Sequence, residues 1–207
     1  DRCPVSAFLL NRSSDLGCGH SLPVAPLFET LDDLSRAREV VQTLLEQNWY
    51  RGHIGGRMMV MIGYSDSAKD GGIVASVWQL YQAQQKMVAL GKARGVPIRL
   101  FHGRGGTISR GAGPTHRFLR ALPPGSMTGA LRVTEQGETI SQKYANRITA
   151  SHHLELLAAG SFYAAIVGRH GAPASPQLLE RMDRLADASR RAYRELVEEF
   201  FPEPLRW

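Results

Sequence analysis

Cysteine and long apolar runs are both scarce in this chain. Its 207 residues include only two cysteines, Cys3 and Cys18. Two cysteines are too few for a disulfide framework or a zinc site, so we expect a reducing, cytoplasmic setting. No stretch approaches the roughly 20 apolar residues that a membrane-spanning helix needs, and we therefore expect no membrane association.

Concentrated charge of one sign is also missing. The formal net charge is +6, but the arginines are dispersed and interleaved with acids. Proteins that bind nucleic acids usually gather their positive charge on one face, with aromatic stacking residues or a recognisable module. We therefore expect small anions as ligands and no nucleic acid. A nucleic-acid-binding module is a distant alternative, which strongly salt-dependent retention of DNA would revive.

What the chain does have is an alternation of strand and helix patterns. Apolar segments predict strands at 22–28, 58–62 and 98–101, with a weaker one at 129–134. Amphipathic spacing predicts helices at 30–47, 72–93 and 114–122, a helical region from about 141, and a final helix at 176–200. This order is typical of parallel βα units.

Three or four such units make half of an eight-stranded barrel, and a half barrel leaves open sheet edges. We therefore expect an α/β fold in which residues 1–140 form part of a parallel β/α barrel. Residues 141–207 are expected to be a helical segment packed on the barrel, with no independent second domain. We also expect the chain, which runs from Asp1 to Trp207, to be a piece of a longer protein.

The run at 60–72, Val-Met-Ile-Gly-Tyr-Ser-Asp-Ser-Ala-Lys-Asp-Gly-Gly, joins a buried strand to a hydroxyl, an acid and a base. It predicts a tight turn that carries Asp66 and Lys69 between strand and helix. Such turns often hold reactive groups, because the scaffold is rigid and the loop is accessible. Lys69 is then a candidate for orienting an anionic substrate. The alternatives are an ordinary polar loop and a surface lysine.

Two carboxylates, Glu29 and Asp66, fall at the ends of predicted strands. Because the carboxyl ends of parallel strands meet on one face, we expect these side chains to converge. Two carboxylates with open water positions suit Mg²⁺ or Mn²⁺, especially where the substrate supplies phosphate oxygens. The alternative is that Glu29 or Asp32 only caps the following helix.

A glycine-rich stretch at 102–114 follows the third predicted strand and contains His102, Arg104 and Arg110. Glycines let backbone N–H groups approach an anion, and guanidinium groups bind carboxylate or phosphate in bidentate fashion. The stretch is not a Walker loop, because no Gly-Lys-Ser/Thr ends it. A flexible turn with solvated arginines is the alternative.

Four blocks of the chain resemble the phosphoenolpyruvate carboxylase family, in the order that this family has them. They are Pro-Leu-Phe-Glu-Thr at 26–30, the lysine signature at 60–72, Phe-His-Gly-Arg-Gly-Gly-Thr-Ile-Ser-Arg-Gly-Ala-Gly-Pro-Thr-His at 101–116, and Leu-Arg-Val-Thr-Glu-Gln-Gly-Glu at 131–138. The second block is the most specific. The resemblance covers roughly residues 5–165 well and the remaining tail more loosely.

The resemblance implies a large, mostly helical protein built around an eight-stranded β/α barrel and assembled as a homotetramer. The implied reaction is the carboxylation of phosphoenolpyruvate by bicarbonate to oxaloacetate and phosphate, which replenishes the citric-acid cycle. It uses Mg²⁺ or Mn²⁺ and passes through carboxyphosphate and a metal-stabilised enolate of pyruvate. A different barrel enzyme that handles phosphoenolpyruvate or phosphate is a weaker alternative, because the lysine signature is complete.

The resemblance also implies roles for individual residues. Glu29 and Asp66 match the metal ligands. The residues that match catalytic positions are Lys69, His102, Arg104 and Arg110. Those that match substrate-binding positions are Arg104, Arg110, Gly111 and Gly113.

Two departures from the family pattern bear on activity. The family's catalytic histidine, in a Thr-Ala-His-Pro-Thr-like motif, has no counterpart in these residues, so we expect the isolated chain to be inactive. Ala112 replaces a glycine that is usual in the glycine-rich loop, a mild change that stiffens it. The alternative function is a degenerate homologue that keeps the anion loop and acts as a binding or regulatory protein.

Overall fold

The computed structural model describes residues 24–104, 115–127, 129–170 and 174–200. In these ranges four strands form one parallel sheet in the order β1-β2-β3-β4. The strands are β1 (Leu27–Phe28), β2 (Met58–Gly63), β3 (Ile98–Gly103) and β4 (Arg132–Val133). Phe28 pairs with Ile62, and Ile62 with His102. The residues that follow each strand therefore meet along one carboxyl edge.

Helices connect and flank these strands. They are α1 (Leu31–Glu46), α2 (Asn48–His53), α3 (Ser65–Gly71), α4 (Ile73–Arg94), α5 (Thr115–Arg120), α6 (Gly137–Tyr144), α7 (Arg147–His170) and α8 (Pro176–Phe200). Among the described ranges, every helix is too short or too polar to cross a membrane.

Helix α1 begins at a capping box. The Thr30 side chain accepts a hydrogen bond from the Asp33 backbone N–H, and the Asp33 carboxylate accepts one from the Thr30 N–H, at 3.0 and 3.2 Å. These reciprocal bonds satisfy free N–H groups at the helix start. The alternative in which Glu29 serves as the cap is therefore wrong, and the Glu29 carboxylate is left available at the strand end.

The main core lies between the sheet and helices α1 and α4. Fully buried Val41, Val60 and Met87 belong to it, one from each of these three elements. A smaller core joins α5 to α7 around Leu119 and Ala164. Burial of such side chains in two separate clusters fixes the sheet against its outer helices and α5 against α7.

The parallel strand order that the sequence predicts is confirmed, and so is the Thr30 cap. The eight-stranded barrel and the boundary near residue 140 remain predictions, because the described residues form a single four-stranded sheet. Helix α2 was not predicted. Helix α6 begins at Gly137, four positions before the predicted start near 141.

The predicted tight turn around Asp66 and Lys69 is wrong, because these residues lie on helix α3. Asp66 is in its first turn and Lys69 in its last, which suits the helix dipole. Gly72, with φ of 82°, separates α3 from α4. The glycine pair thus ends a short helix where the sequence predicts a turn.

Candidate functional site

Glu29 and the end of β2 lie unusually close together. A Cβ atom placed on Gly63 would lie 3.2 Å from both Cα and Cγ of Glu29. Such a contact is tight enough that a side chain at residue 63 would push the two strand ends apart. Glycine at this position therefore lets the Glu29 carboxylate lie against the start of α3.

Helix α3 is anchored beneath its polar surface by Ser67. The buried Ser67 hydroxyl lies 3.1 Å from the carbonyl oxygens of Gly63 and Tyr64, and 2.6 Å from the Ser76 hydroxyl on α4. These bonds tie the helix to the end of β2 and to α4. Asp66 and Lys69 are thereby held at the surface of the carboxyl edge.

Asp66 and Lys69 form an exposed ion pair one turn apart. Lys69 Nζ lies 3.2 Å from Asp66 Oδ1, and the two side chains are 67% and 48% exposed, lysine first. Exposed pairs of this kind contribute little to folding. Both groups are therefore free to interact with a ligand at modest cost.

The electrostatics of Glu29 indicate a site for positive charge. Partial burial raises the pKa of the Glu29 carboxyl, and a hydrogen bond with Asp66 and repulsion by its charge raise it further. Lys69 acts in the opposite direction. We call Glu29 and Asp66 the carboxylate pair. Each of these two acids makes ionisation of the other less favourable. A cation bound between them would offset that repulsion and is therefore favoured there.

The chemistry of the carboxylate pair fits Mg²⁺ or Mn²⁺. Mg²⁺ typically binds proteins through one or two carboxylates and keeps several waters or substrate oxygens. Within the part of the chain that the structure describes, no group of three or more His, Cys, Asp or Glu side chains is assembled to hold a metal. The pair therefore fits a hard, partly hydrated cation better than a closed structural metal site.

A second polar group lies at the end of β3 and is buried. His102 is 3% exposed and Arg104 is 6% exposed. The Tyr64 hydroxyl lies 2.8 Å from His102 Nδ1. The Phe118 ring on α5 stands edge-on to His102 and lies 4.3 Å from the guanidinium carbon of Arg104. We call Tyr64, His102, Arg104 and Phe118 the buried cluster.

Burial determines the charges in this cluster. It lowers the pKa of His102 to about 4, with the Arg104 charge as a second cause, so the imidazole is neutral near pH 7. It also lowers the pKa of Arg104, against the opposing influence of Tyr64 and Glu135, but a guanidinium stays charged in proteins. The cluster is thus a buried cation beside neutral hydrogen-bonding groups.

Arg104 has unused hydrogen-bonding capacity. Its Nε is buried and has no hydrogen-bond partner among the described residues. Buried polar groups are normally paired, so an unpaired guanidinium N–H calls for an explanation. An anion is the natural partner for it, because guanidinium binds carboxylate and phosphate through two parallel hydrogen bonds.

The segment that follows β4 contacts the buried cluster through the backbone of His102. The Thr134 backbone N–H donates to the His102 carbonyl at 3.0 Å. Lys143 pairs with Glu135 at 2.5 Å and reaches the Thr115 hydroxyl at the start of α5. These contacts link α5 and α6 to the segment after β4, which bonds to the end of β3.

The structure thus brings together two sets of the predicted site residues. Glu29, Asp66 and Lys69 follow β1 and β2, and His102 and Arg104 lie at the end of β3, all at the carboxyl edge. The remaining predicted residues, Arg110, Gly111 and Gly113, lie outside the described residues.

Sequence reasoning missed two members of the buried cluster. Tyr64 lies inside the quoted lysine signature, so its position beside reactive residues was an available signal. Phe118 is 16 positions from His102 in the chain, on a helix whose packing no local pattern reveals. Its contact with His102 and Arg104 is visible only in three dimensions.

Comparisons with known proteins show the family of this chain. The sequence pattern of the family described as phosphoenolpyruvate carboxylase matches residues 5–203. A phosphoenolpyruvate carboxylase of Methylorubrum extorquens is 48% identical over 185 residues, covering 86% of this chain and 20% of the relative. One from Yersinia pseudotuberculosis is 48% identical over 187 residues, covering 89% and 21%. The chain therefore spans about a fifth of the length of these curated relatives.

Proposed function

This chain belongs to the phosphoenolpyruvate carboxylase family, and on that premise we propose that the native protein carboxylates phosphoenolpyruvate with bicarbonate. The products are oxaloacetate and phosphate. The observation that supports the proposal most strongly is that the carboxylate pair and the buried Arg104 lie at the same carboxyl edge of the sheet. A half-buried carboxylate pair suited to a divalent cation lies there with a buried arginine suited to an anion.

Glu29 and Asp66 would hold Mg²⁺ or Mn²⁺. When bound, the cation supplies Lewis-acid stabilisation of negative charge on oxygen. The surrounding residues support this role: burial is the main cause of the raised pKa of Glu29, and repulsion by Asp66 and Asp33, which a cation would relieve, adds to it. Lys69, whose charge is exposed one turn from Asp66, would orient the anionic substrate.

The first chemical step is phosphoryl transfer. A bicarbonate oxygen bonds to phosphorus, the bond from phosphorus to the enol oxygen breaks, and its electron pair remains on that oxygen as the enolate. The products of this step are carboxyphosphate and the enolate of pyruvate. Arg104 would bind the phosphoryl oxygens, where fixed positive charge does most of the catalytic work in such transfers.

The second step forms the new carbon–carbon bond. Carboxyphosphate releases CO₂ and phosphate, and the enolate carbon attacks the CO₂ carbon to give oxaloacetate. His102 is neutral near pH 7 and would act by hydrogen bonding without adding charge. We propose that Arg110, Gly111 and Gly113, which match substrate-binding positions of the family, also bind the anions.

The proposal extends to the architecture of the native protein. We propose that residues 1–140, with their four parallel strands, form part of an eight-stranded β/α barrel, and that residues 141–207 pack on this barrel. The native protein is proposed to be a cytoplasmic homotetramer that replenishes oxaloacetate. The isolated 207-residue chain is proposed to be inactive, for want of the family's catalytic histidine.

Labelled bicarbonate tests the reaction. The native protein, given Mn²⁺ and phosphoenolpyruvate, is expected to transfer the label into oxaloacetate, and to do so only when both are present. With bicarbonate labelled by ¹⁸O, one labelled oxygen is expected in the released phosphate, because the bicarbonate oxygen has bonded to phosphorus. Failure of both transfers in a folded protein that still binds phosphate would favour the degenerate, anion-binding homologue.

A further inference from the structure

Asp70 joins the two elements that carry the carboxylate pair. It lies on α3, one turn after Asp66, and its Oδ2 accepts a hydrogen bond from the Leu31 backbone N–H at 3.0 Å. Leu31 is the first residue of α1, two positions after Glu29. One side chain on the helix of Asp66 thus holds the backbone next to Glu29.

Helix α8 holds the same helix from its other side. The Tyr193 hydroxyl donates to the Lys69 carbonyl at 2.9 Å, and Arg194 Nη2 lies 3.5 Å from Asp70 Oδ1. The Tyr193 ring also packs on Gly72, where an added Cβ would lie 3.0 Å from it. Contacts at 69, 70 and 72 therefore fix the carboxyl end of α3.

A helix of seven residues does not hold its own position, because short helices depend on tertiary contacts. Ser67 fixes the depth of α3 against β2 and α4, but it does not reach α1. In the described part of the chain, α3 and α1 are joined by the hydrogen bond that the Leu31 backbone N–H donates to the Asp70 carboxylate. Pairing of β1 with β2 places Glu29 beside the end of β2, and the bond between the Leu31 N–H and Asp70 adds a direct tie from α3 to the backbone that follows Glu29.

We propose that Asp70 is a positioning residue that sets the separation of Glu29 and Asp66, and that α8 supports it through Tyr193 and Arg194. The inference rests on the proposed function, in which the carboxylate pair binds one divalent cation. Asp70 itself is turned to the Leu31 N–H and to Arg194. Asp70 therefore affects cation binding indirectly, by positioning Glu29 and Asp66.

Binding of Mn²⁺ to the native protein, followed by the paramagnetic resonance of free Mn²⁺, tests this inference without any turnover. Asp70→Ala removes the acceptor for the Leu31 N–H and is expected to weaken Mn²⁺ binding about tenfold, as for other residues that orient metal ligands. Asp70→Asn keeps an acceptor oxygen and is expected to stay within about twofold of the original protein. Wild-type affinity in Asp70→Ala would overturn the inference.

Asp32→Asn is the matched control. It also removes one carboxylate from the start of α1, but Asp32 is exposed and its ion pair is a local one with Arg36 on the same helix. Its Mn²⁺ affinity is expected to be unchanged. A loss equal to that of Asp70→Ala would mean that net charge, and not the bond to Leu31, governs binding, and would also overturn the inference.

Tyr193→Phe provides a variant that keeps the ring packed on Gly72 and removes the bond to the Lys69 carbonyl. It is expected to weaken Mn²⁺ binding by about twofold to fivefold, below the range for direct partners of metal ligands. Unchanged affinity would overturn the role assigned to α8.

Asp66→Asn separates this inference from the proposed function. If Asp66→Asn weakens Mn²⁺ binding and Asp70→Ala does not, the positioning role is wrong and the metal site stands. If Asp66→Asn also leaves Mn²⁺ binding unchanged, the metal site itself is wrong, and the positioning role falls with it.

Discussion

The carboxylate pair and the buried cluster lie at the same edge of the sheet but differ in almost every physical respect. Asp66 and its partner Lys69 are largely exposed, whereas His102 and Arg104 are nearly inaccessible. Asp66 and Lys69 keep contact with water, and Glu29 beside them is partly buried. In the buried cluster, protein groups take the place of water: the Tyr64 hydroxyl contacts His102 and the Phe118 ring contacts Arg104.

This difference indicates a division of labour. A hydrated carboxylate pair can exchange waters for a cation and substrate oxygens with little rearrangement. A desolvated guanidinium has already lost its water during folding, so it interacts strongly with charge that develops beside it. We therefore expect the two groups to respond differently to substitution and to pH.

The largest expected effect is on the buried cluster. Arg104→Gln removes the buried positive charge and is expected to lower kcat/KM of the native protein by about 100-fold to 1,000-fold, the usual cost of losing one such group. The measurement is steady-state oxaloacetate formation at saturating Mn²⁺.

Arg99→Gln is the control for that substitution. Arg99 lies on the same strand, but it pairs in register with Met59 near the opposite end. It is expected to leave kcat/KM nearly unchanged. Equal losses in the two variants would contradict a specific role for Arg104.

Glu29→Gln is expected to separate metal binding from folding. Losing a direct ligand should weaken Mn²⁺ binding by about 100-fold. This is the largest loss of metal affinity usually seen when a residue that only hydrogen-bonds to a metal ligand is replaced. The pKa of Glu29 is raised in the folded protein, so its ionised form opposes folding at neutral pH in the absence of metal. The variant should therefore unfold at a higher temperature than the original protein without Mn²⁺, and gain less when Mn²⁺ is added.

Thermal unfolding with and without Mn²⁺ tests both expectations, the higher unfolding temperature of Glu29→Gln without Mn²⁺ and its smaller stabilisation by Mn²⁺. Asp32→Asn again serves as the charge-matched control and should respond to Mn²⁺ as the original protein does. A stabilisation of Glu29→Gln by Mn²⁺ as large as that of the original protein would exclude Glu29 as a ligand.

His102 should make stability depend on pH in a defined window. Its pKa is about 4 when folded and 6.5 as an unperturbed group, so the unfolded chain binds the extra proton below pH 6.5. Stability from this source is complete above pH 6.5 and is lost as the pH falls towards 4. Between about pH 7.5 and about pH 5 we expect a loss of about 2 kcal/mol.

Urea unfolding of the native protein at several pH values measures this loss. His102→Asn should flatten the dependence in that window, whereas His152→Asn, a change at an exposed position on α7, should leave it intact. The same slope in His102→Asn as in the original protein would show that His102 is not the group responsible.

The smallest expected effect on stability is at Lys69. Its pair with Asp66 is exposed, so Lys69→Met should change the free energy of unfolding by less than about 1 kcal/mol. Arg36→Met, which breaks the exposed pair with Asp32, should change it just as little. Of the two variants, only Lys69→Met is expected to lower carboxylation. A large loss of stability in Lys69→Met would mean that Lys69 is structural.

The sequence predicts the order of elements well for a physical reason. The strand at 58–63 is a short apolar run, the strand at 98–103 alternates buried apolar residues with half-buried ones at its start, and Thr30 with Asp33 forms a local cap. Such features depend on neighbours in the chain and can be read from it. The convergence of Glu29 and Asp66 follows from parallel pairing, which the alternation of elements already indicates.

Other features escape the sequence because they depend on distant contacts. Helix α3 is short, and its Ser, Asp and Gly residues are equally typical of turns. Its bonds to Ser76, Leu31 and Tyr193 make it a helix in this position. The burial of Arg104 against Phe118 likewise requires α5 to pack there, and no local pattern encodes that packing.

The most direct test of the central account is whether a metal at the carboxylate pair lies beside the phosphate of the substrate. The measurement is the ³¹P resonance of phosphoenolpyruvate bound to the native protein, without bicarbonate, as Mn²⁺ is added. The account predicts strong paramagnetic broadening that Asp66→Asn abolishes while phosphoenolpyruvate remains bound. A sharp resonance at saturating Mn²⁺, or broadening that persists in Asp66→Asn, would contradict it.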